Sequence, residues 1–257
     1  MKITAIIGTR NEAHKIRTAL THCLLWADEV VVVDKDSTDA TRDIALEMGA
    51  RAVNAGFSRQ GHENVQEQVS HASHDWVWIW TSHEVPTKKL IEAGRAMATD
   101  DVDLIMVPMY YYSFGVHHDQ SPWAGGWQPR LFHRGRVKFT GIAHAPMHAE
   151  RTVKIPYLPD QYVLHQTHAP VERFMISHLD YMVNEAANGN PEHVFLHAMQ
   201  TAVRFDEIFK ANPELLPQAL GWKVYWFGVA LHAWERLNPG VPEQYAARCR
   251  KALEEWA

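Results

Sequence analysis

The sequence predicts an α/β fold, a mixed sheet flanked by helices, followed by a helical C-terminal extension. Three observations carry this. The run Glu29-Val-Val-Val-Val-Asp34 reads as a strand buried on both faces, as central parallel strands are. Strand, polar turn and helix alternate twice within the first 55 or so residues, the opening of a βαβ arrangement. From Pro170 onward the apolar spacing becomes helical, punctuated by Asn-Gly-Asn-Pro, Asn-Pro and Asn-Pro-Gly. A soft boundary near 169 therefore separates a domain of residues 1–169 from an extension of residues 170–257.

In order, residues 2–8 are a first strand ending at Gly8, followed by Thr9-Arg10-Asn11-Glu12 and a helix over 13–25. The second strand, 29–34, leads into a turn carrying Asp34, Asp36, Ser37 and Asp39, then a helix over 40–48 closed by Gly49, then a short strand over 51–54. A helix follows Gly61, and the aromatic strand Asp75–Trp80 stops at Thr81-Ser82-His83-Glu84-Val85-Pro86. Helix 88–98 and strand 103–112 lead into a loop, 113–128, long enough to be a lid or an acceptor wall. Two short strands flank Arg134-Gly135, residues 141–148 read as irregular, and 162–165 is a last strand. The extension reads as helices over 171–188, 191–211, 217–236 and 242–256.

Composition narrows the function. Of 257 residues, 46% are apolar and 21% charged, an ordinary globular balance. A formal net charge of −5 offers no basic footprint, so a nucleic-acid partner is disfavoured. Cys23 and Cys249 form neither a metal-type spacing nor a disulfide framework, which suits a reducing cytoplasm. No signal-peptide pattern is read at the N-terminus and no apolar run is long enough to be a transmembrane segment, so the expected location is cytoplasmic, with peripheral membrane contact left open. Polar turns beyond the carboxyl ends of parallel strands are where ligands collect in open α/β sheets.

Several stretches resemble a known family: Thr9-Arg-Asn-Glu12, Trp26-Ala-Asp-Glu-Val-Val-Val-Val-Asp34-Lys-Asp-Ser-Thr-Asp39-Ala-Thr, His74-Asp75-Trp76-Val77, Glu84-Val-Pro, Arg130-Leu-Phe-His-Arg-Gly135, His144 and Leu164-His165. In order and spacing they resemble the family 2 glycosyltransferases of GT-A fold, a Rossmann-related architecture, in particular short bacterial enzymes of lipopolysaccharide-core type. The resemblance implies a nucleotide-sugar donor, UDP-linked, and an inverting transfer to a hydroxyl acceptor. The acceptor it implies is a glycan or lipid-linked saccharide, with a hydroxylated DNA base as the minority alternative. Thr9, Asn11 and Glu12 would line the nucleoside pocket, and Asp34 would accept from the imino nitrogen of a uracil-like base. Asp36, Ser37 and His62 would stand near the nucleotide. Helix capping remains an alternative role for Ser37 and Asp39.

Two departures from the family pattern bear on mechanism. Relatives carry Asp-X-Asp where this chain has Thr81-Ser82-His83, followed by Glu84. Three readings follow: a retuned divalent-cation site of His83, Glu84 and His165, suited to Mn²⁺ better than Mg²⁺; metal-independent transfer with a cationic side chain steadying the diphosphate; or lost catalysis. Relatives also read Val-His-Glu where this chain reads Ala143-His144-Ala145, so His144 becomes the candidate general base, with Glu84, His148 and Glu150 as alternatives. Arg130 would orient this region or a phosphate, or form a structural ion pair. Tyr110 to Tyr112, Trp123 and Trp127 read as acceptor-side stacking groups or as core beneath a loop. Trp222, Tyr225, Trp226, Phe227 and Trp234 read as a helix face buried against the catalytic domain. The rival from another class is a non-catalytic nucleotide-sugar-binding protein.

Overall fold

The four valines of the second strand are divided between two cores. In the computed structural model, which describes residues 1–56, 65–122, 124–142, 145–167 and 171–240, Val30 and Val32 face one side of the sheet and Val31 and Val33 the other. Strands β1 (Ile3–Thr9), β2 (Glu29–Asp34), β3 (Arg51–Asn54) and β4 (Trp76–Trp80) are parallel and lie in the order β3-β2-β1-β4. Helices α1 (Ile16–Cys23) and α2 (Thr41–Glu47) follow β1 and β2, and α3 (Val65–Ser70) precedes β4. Gly49, at φ 88°, ends the turn after α2 as expected of a glycine there.

Alternation on β4 puts Trp76, Trp78 and Trp80 on one face, with Ile3, Ala5, Ile7 and Val32. Trp78 and Trp80 stack with ring centroids 5.1 Å apart, and Trp26 packs edge-on to both. The helix α4 (Lys88–Met97) is started by Thr87, whose hydroxyl accepts from Leu90 N, and it closes over these rings.

The sheet then changes sense. Strand β5 (Glu84–Pro86) is short and was not expected from the sequence; β6 (Leu104–Ser113) and β7 (Gly125–His133) are long and antiparallel. Then come β8 (Lys138–Ile142), β9 (Ala145–His148), β10 (Thr152–Lys154) and β11 (Val163–Thr167). Among the described residues the main sheet has nine strands in the order β3-β2-β1-β4-β7-β6-β11-β5, with β10 beside β6, and β8 and β9 form a separate pair. Residues 145–148, part of the stretch read as irregular, are thus a strand, in which Pro146 sits in a two-stranded ribbon.

By compactness the chain divides into two units, residues 1–112 with 125–167, and residues 113–124 with 168–257. In the second, α5 (Val171–Ala187), α6 (Pro191–Val203) and α8 (Leu216–Leu237) enclose a core of Met182, Ala186, Ala198, Val229, Ala230 and Ala233, and α7 (Asp206–Ala211) places Phe209 in a smaller cluster with Leu215 and Ala219. The helix read over 191–211 is two helices, α6 and α7, broken at Arg204 and Phe205. The loop read over 113–128 is shorter than expected: β6 runs to Ser113, β7 begins at Gly125, and the segment between them is bonded within the helical unit. Ser121 Oγ bonds Gln218 Oε1, Gln218 Nε2 donates to Val116 O at 2.8 Å, and Phe114 packs on Phe174. Within its unit α8 packs on α5 and α6, and Phe227 and Trp234 stay partly exposed. The predicted helix over 242–256 and Trp123 lie outside the described residues. Among the described residues no helix is long and apolar enough to cross a membrane.

Gly94 gives a sign test of the packing. Glycine to alanine inside an exposed helix gains about 1 kcal/mol. At Gly94 an added Cβ would stand 2.9 Å from Trp78 Cη2 and Cζ3 and 3.1 Å from Leu131 Cδ2. Gly94→Ala is therefore expected to lose about 1–3 kcal/mol, read as a lower urea midpoint; a gain would show that the Trp78 ring can move aside.

Candidate functional site

Two polar loops meet where β1 and β2 end. Parallel pairing sets Thr9 opposite Asp34, so a hydroxyl and a carboxylate stand side by side at the carboxyl edge of the sheet. The loops are stitched by side chains: Asn11 N donates to Ser37 Oγ at 2.9 Å, Glu12 N to Thr41 Oγ1 at 2.8 Å, Ala13 N to Asp39 Oδ2 at 3.1 Å, and Thr38 N to Asn11 Oδ1 at 2.8 Å. Asn11 and Asp36 both adopt φ 54°, a left-handed conformation that Asn and Asp tolerate better than most residues. The two loops therefore form one preset edge.

Asp34 is 2% exposed. It accepts from Ser37 N at 3.2 Å and from Ser37 Oγ, one bond on each oxygen, which leaves each oxygen a further lone pair. The Thr9 hydroxyl beside it is buried and has no hydrogen-bond partner. Ser37 closes the Asp34 turn and Asp39 bonds Thr41 at the start of α2 and Ala13 across the loops, so both hold the loop together and neither is the N-cap. Asp36 accepts from Asn54 Nδ2 at 2.9 Å. His62 and His144 lie outside the described residues.

A second cluster forms at the end of β4. Antiparallel pairing of β5 and β11 sets His165 opposite Glu84, which explains why residues 81 positions apart in sequence meet. Glu84 is 1% exposed, and its Oε1 lies against Arg130 Nη2 and 3.1 Å from His165 Nδ1. Arg130 reaches it from a bulge: Ile105 pairs with Leu131 and Met106 with Pro129, so Arg130 is the extra residue in β7. The His83 ring packs on that of His165 at 4.6 Å and Tyr111 packs on the same ring at 4.7 Å. Burial opposes the charge on Glu84 most strongly, yet Arg130 and the two histidines together hold its carboxyl down at about 2. Burial, then His165, push His83 down to about 3, so it is neutral near pH 7. Burial and the Glu84 charge raise the Cys23 thiol to about 12 and, acting against Arg130, raise Tyr111 to about 12.

The structure thus brings His83, Glu84, Arg130 and His165 together. As a divalent-cation site, however, the expected set His83, Glu84 and His165 is corrected. The oxygen of Glu84 that faces His165 is the one that the guanidinium occupies, and a cation there would be set against Arg130. Among the described residues no group of three or more His, Cys, Asp or Glu side chains is arranged to hold a metal ion. The residues do not fit the group. Glu84 as a general base is disfavoured by its low proton affinity, and His148 and Glu150 are exposed, His148 on β9. Tyr111, Cys23 and Gln128, which bonds Tyr111, were missed as neighbours of this cluster because only the pairing of distant strands and the packing of α1 on β5 bring them there. Trp127 keeps 37% exposure, donates through Nε1 to Ile155 O at 2.7 Å and is covered by the Lys154 ammonium at 5.1 Å, while Tyr110 stacks on Tyr162.

Comparison with known proteins gives the family. The family model described as Glycosyl transferase family 2 matches residues 4–151, more than half of the chain. An uncharacterized glycosyltransferase of Rickettsia bellii is 37% identical over 90 residues, which cover 35% of this chain and 30% of that protein. Another from Rickettsia felis is 36% identical over 90 residues, covering 35% of this chain and 31% of that protein. The match thus spans about a third of the length of these curated relatives. Among solved structures, glucosyl-3-phosphoglycerate synthase from Mycobacterium tuberculosis in complex with Mn²⁺, UDP and glucosyl-3-phosphoglycerate aligns with TM-score 0.46 at 16% identity, covering 68% of this chain and 75% of that one. Mannosyl-3-phosphoglycerate synthase from Rubrobacter xylanophilus aligns with TM-score 0.37 at 18% identity, covering 44% of this chain and 41% of that one. Likenesses of this order say nothing of donor or acceptor here.

The buried cluster predicts an acid-sensitive fold. His83 and Glu84 each bind fewer protons folded than unfolded, so stability falls as pH falls. The His83 contribution is present above 6.5 and lost toward about 3, and that of Glu84 is present above 4.5 and lost toward about 2. Urea midpoints measured from pH 7 to 2 should decline in both windows, with Glu84 accounting for on the order of 3 kcal/mol. His83→Gln should flatten the decline between 6.5 and 4.5, and Glu84→Gln the decline below 4.5; unchanged slopes would remove both groups from the account.

Proposed function

This chain belongs to glycosyl transferase family 2, and we propose that it moves a sugar from a UDP-sugar donor to a hydroxyl acceptor, with inversion at the transferred carbon. The observation that carries the donor half of this reading is the Thr9–Asp34 pair: a buried carboxylate with spare lone pairs beside a buried hydroxyl that has no partner, on a rigid edge where two parallel strands end. A directional acceptor of that kind discriminates the imino edge of uracil from bases that present an acceptor there. Asn11 and Glu12, fixed by their backbone bonds to Ser37 and Thr41, would border the same pocket, with His62 toward the nucleotide. A glycan or lipid-linked saccharide is the proposed acceptor.

Transfer would be a direct displacement. The acceptor oxygen forms its bond to the sugar carbon as the bond to the UDP oxygen breaks, and the hydroxyl proton passes to a base. Glu84 is committed to Arg130 and His83 is a weak proton acceptor, so His144 takes that role in this reading. The same two low proton affinities favour a second reading, a nucleotide-sugar-binding protein without catalysis.

Calorimetric titration with UDP, followed by assay of UDP release from UDP-sugars, separates these. UDP is expected to bind, Asp34→Asn to weaken it by about tenfold or more, and CDP to bind more weakly than UDP. His144→Gln should leave UDP binding intact and lower turnover by about 10²–10⁴. UDP binding with no release from any donor would favour the binding protein, and absence of UDP binding would sink the donor assignment.

A further inference from the structure

We propose that the donor diphosphate is received by the Arg130 guanidinium, and that nucleotide binding by this chain needs no divalent cation. The inference rests on the donor reading above and departs from the metal-dependent pattern that the resemblance implies.

The first support is the chemistry of the residues at the end of β4. Thr81 and Ser82 carry no charge, and the carboxylate of Glu84 is paired with Arg130. A Mg²⁺ or Mn²⁺ ion is held by oxygen donors whose negative charge it meets. Here that charge is already met.

The second support is where Arg130 stands. Ile7 pairs with Trp80 and Thr9 with Asp34, so continuing the parallel register brings residues 81 and 82 to the edge where Thr9 and Asp34 end. Trp78 pairs with Leu131, which places the Arg130 bulge beside the last turn of that edge. A bulge turns a side chain out of the alternation of its strand, and it turns this one toward Glu84. Glu84, in turn, fixes the guanidinium from one side.

The third support is an unused donor. Arg130 Nε is buried and has no hydrogen-bond partner, although leaving such a group unsatisfied costs about 1–3 kcal/mol. The Thr81 hydroxyl, three residues before Glu84, is buried and unpartnered as well. A guanidinium presents a planar fork that matches phosphate oxygens, and one already held by a carboxylate loses little freedom on binding them. The arrangement places a fixed positive charge where the UDP oxygen would leave, the task that relatives give to a cation.

The test is titration of the whole protein with UDP and with uridine, in EDTA and in Mn²⁺. The dissociation constant for UDP is expected to be the same within about twofold in both. Because Arg130→Gln alone leaves Glu84 buried without its partner, the informative variant is the neutral pair Glu84→Gln with Arg130→Gln. It should weaken UDP by about tenfold or more while uridine binds as to the wild type; Arg130→Lys should fall between. UDP binding that appears only with Mn²⁺ would overturn the inference and leave the donor reading standing. Equal loss of UDP and uridine in the neutral pair would overturn it too, by showing that Arg130 acts through the fold. Absence of UDP binding under all conditions would remove the donor reading and this inference with it.

Discussion

A carboxylate with almost no exposed surface dictates much of the architecture around it. An ionised Glu84 away from water needs a partner, and the attraction must outweigh a desolvation cost of several kcal/mol. Arg130 supplies it, and to do so β7 carries a bulge against β6. His165 supplies a second contact, which requires that β5 and β11 pair with Glu84 opposite it. His83 then packs edge-on against His165 and stays neutral, since burial and then His165 oppose its protonation. Removing either charge of the pair strands the other, so the cluster holds the late strands of the sheet in register as well as forming its polar corner.

The other corner is built on different physics. At the ends of β1 and β2 the loops are held by many short hydrogen bonds. Small side chains bond to backbone amides of the neighbouring loop: Ser37 to Asn11, Thr41 to Glu12, Asp39 to Ala13, Asn11 to Thr38. These bonds satisfy amides that the end of a strand leaves open, and they permit the left-handed backbone at Asn11 and Asp36. The result is an edge whose shape is set before any ligand arrives, so little ordering is left to be done on binding.

Much of this was legible in the sequence, for identifiable reasons. The strand 29–34, the turn after it and Gly49 could be read because each depends on neighbours within a few residues: an apolar run, a cluster of turn formers, a glycine after a helix. The resemblance of the same stretch found the family. Strand β5 was not legible, since three residues ending in proline carry no period, and it exists only because β11 pairs with it. The bulge at Arg130 was hidden likewise, being a mismatch between two strands and a property of neither alone. Hence His83, Glu84 and His165, which the structure does bring together, were gathered into a ligand set while the guanidinium that pairs with Glu84 stood in a separate motif.

The two corners together constrain what chemistry this edge can perform. Asp34 and Glu84 are both buried carboxylates, but Asp34 is bonded only through neutral donors of its own turn, whereas Glu84 faces a cation and two imidazoles. An acceptor held by neutral donors keeps its appetite for a further N–H, which suits recognition of a base edge. A carboxylate held by a guanidinium has surrendered that appetite, and what it contributes is the orientation of the positive charge beside it. Charge that is fixed in place before a reaction stabilises a leaving anion without first having to reorganise. In the proposed reading, the polar corner at β4 would serve electrostatics, the one at β2 recognition, and proton transfer would fall to a third group.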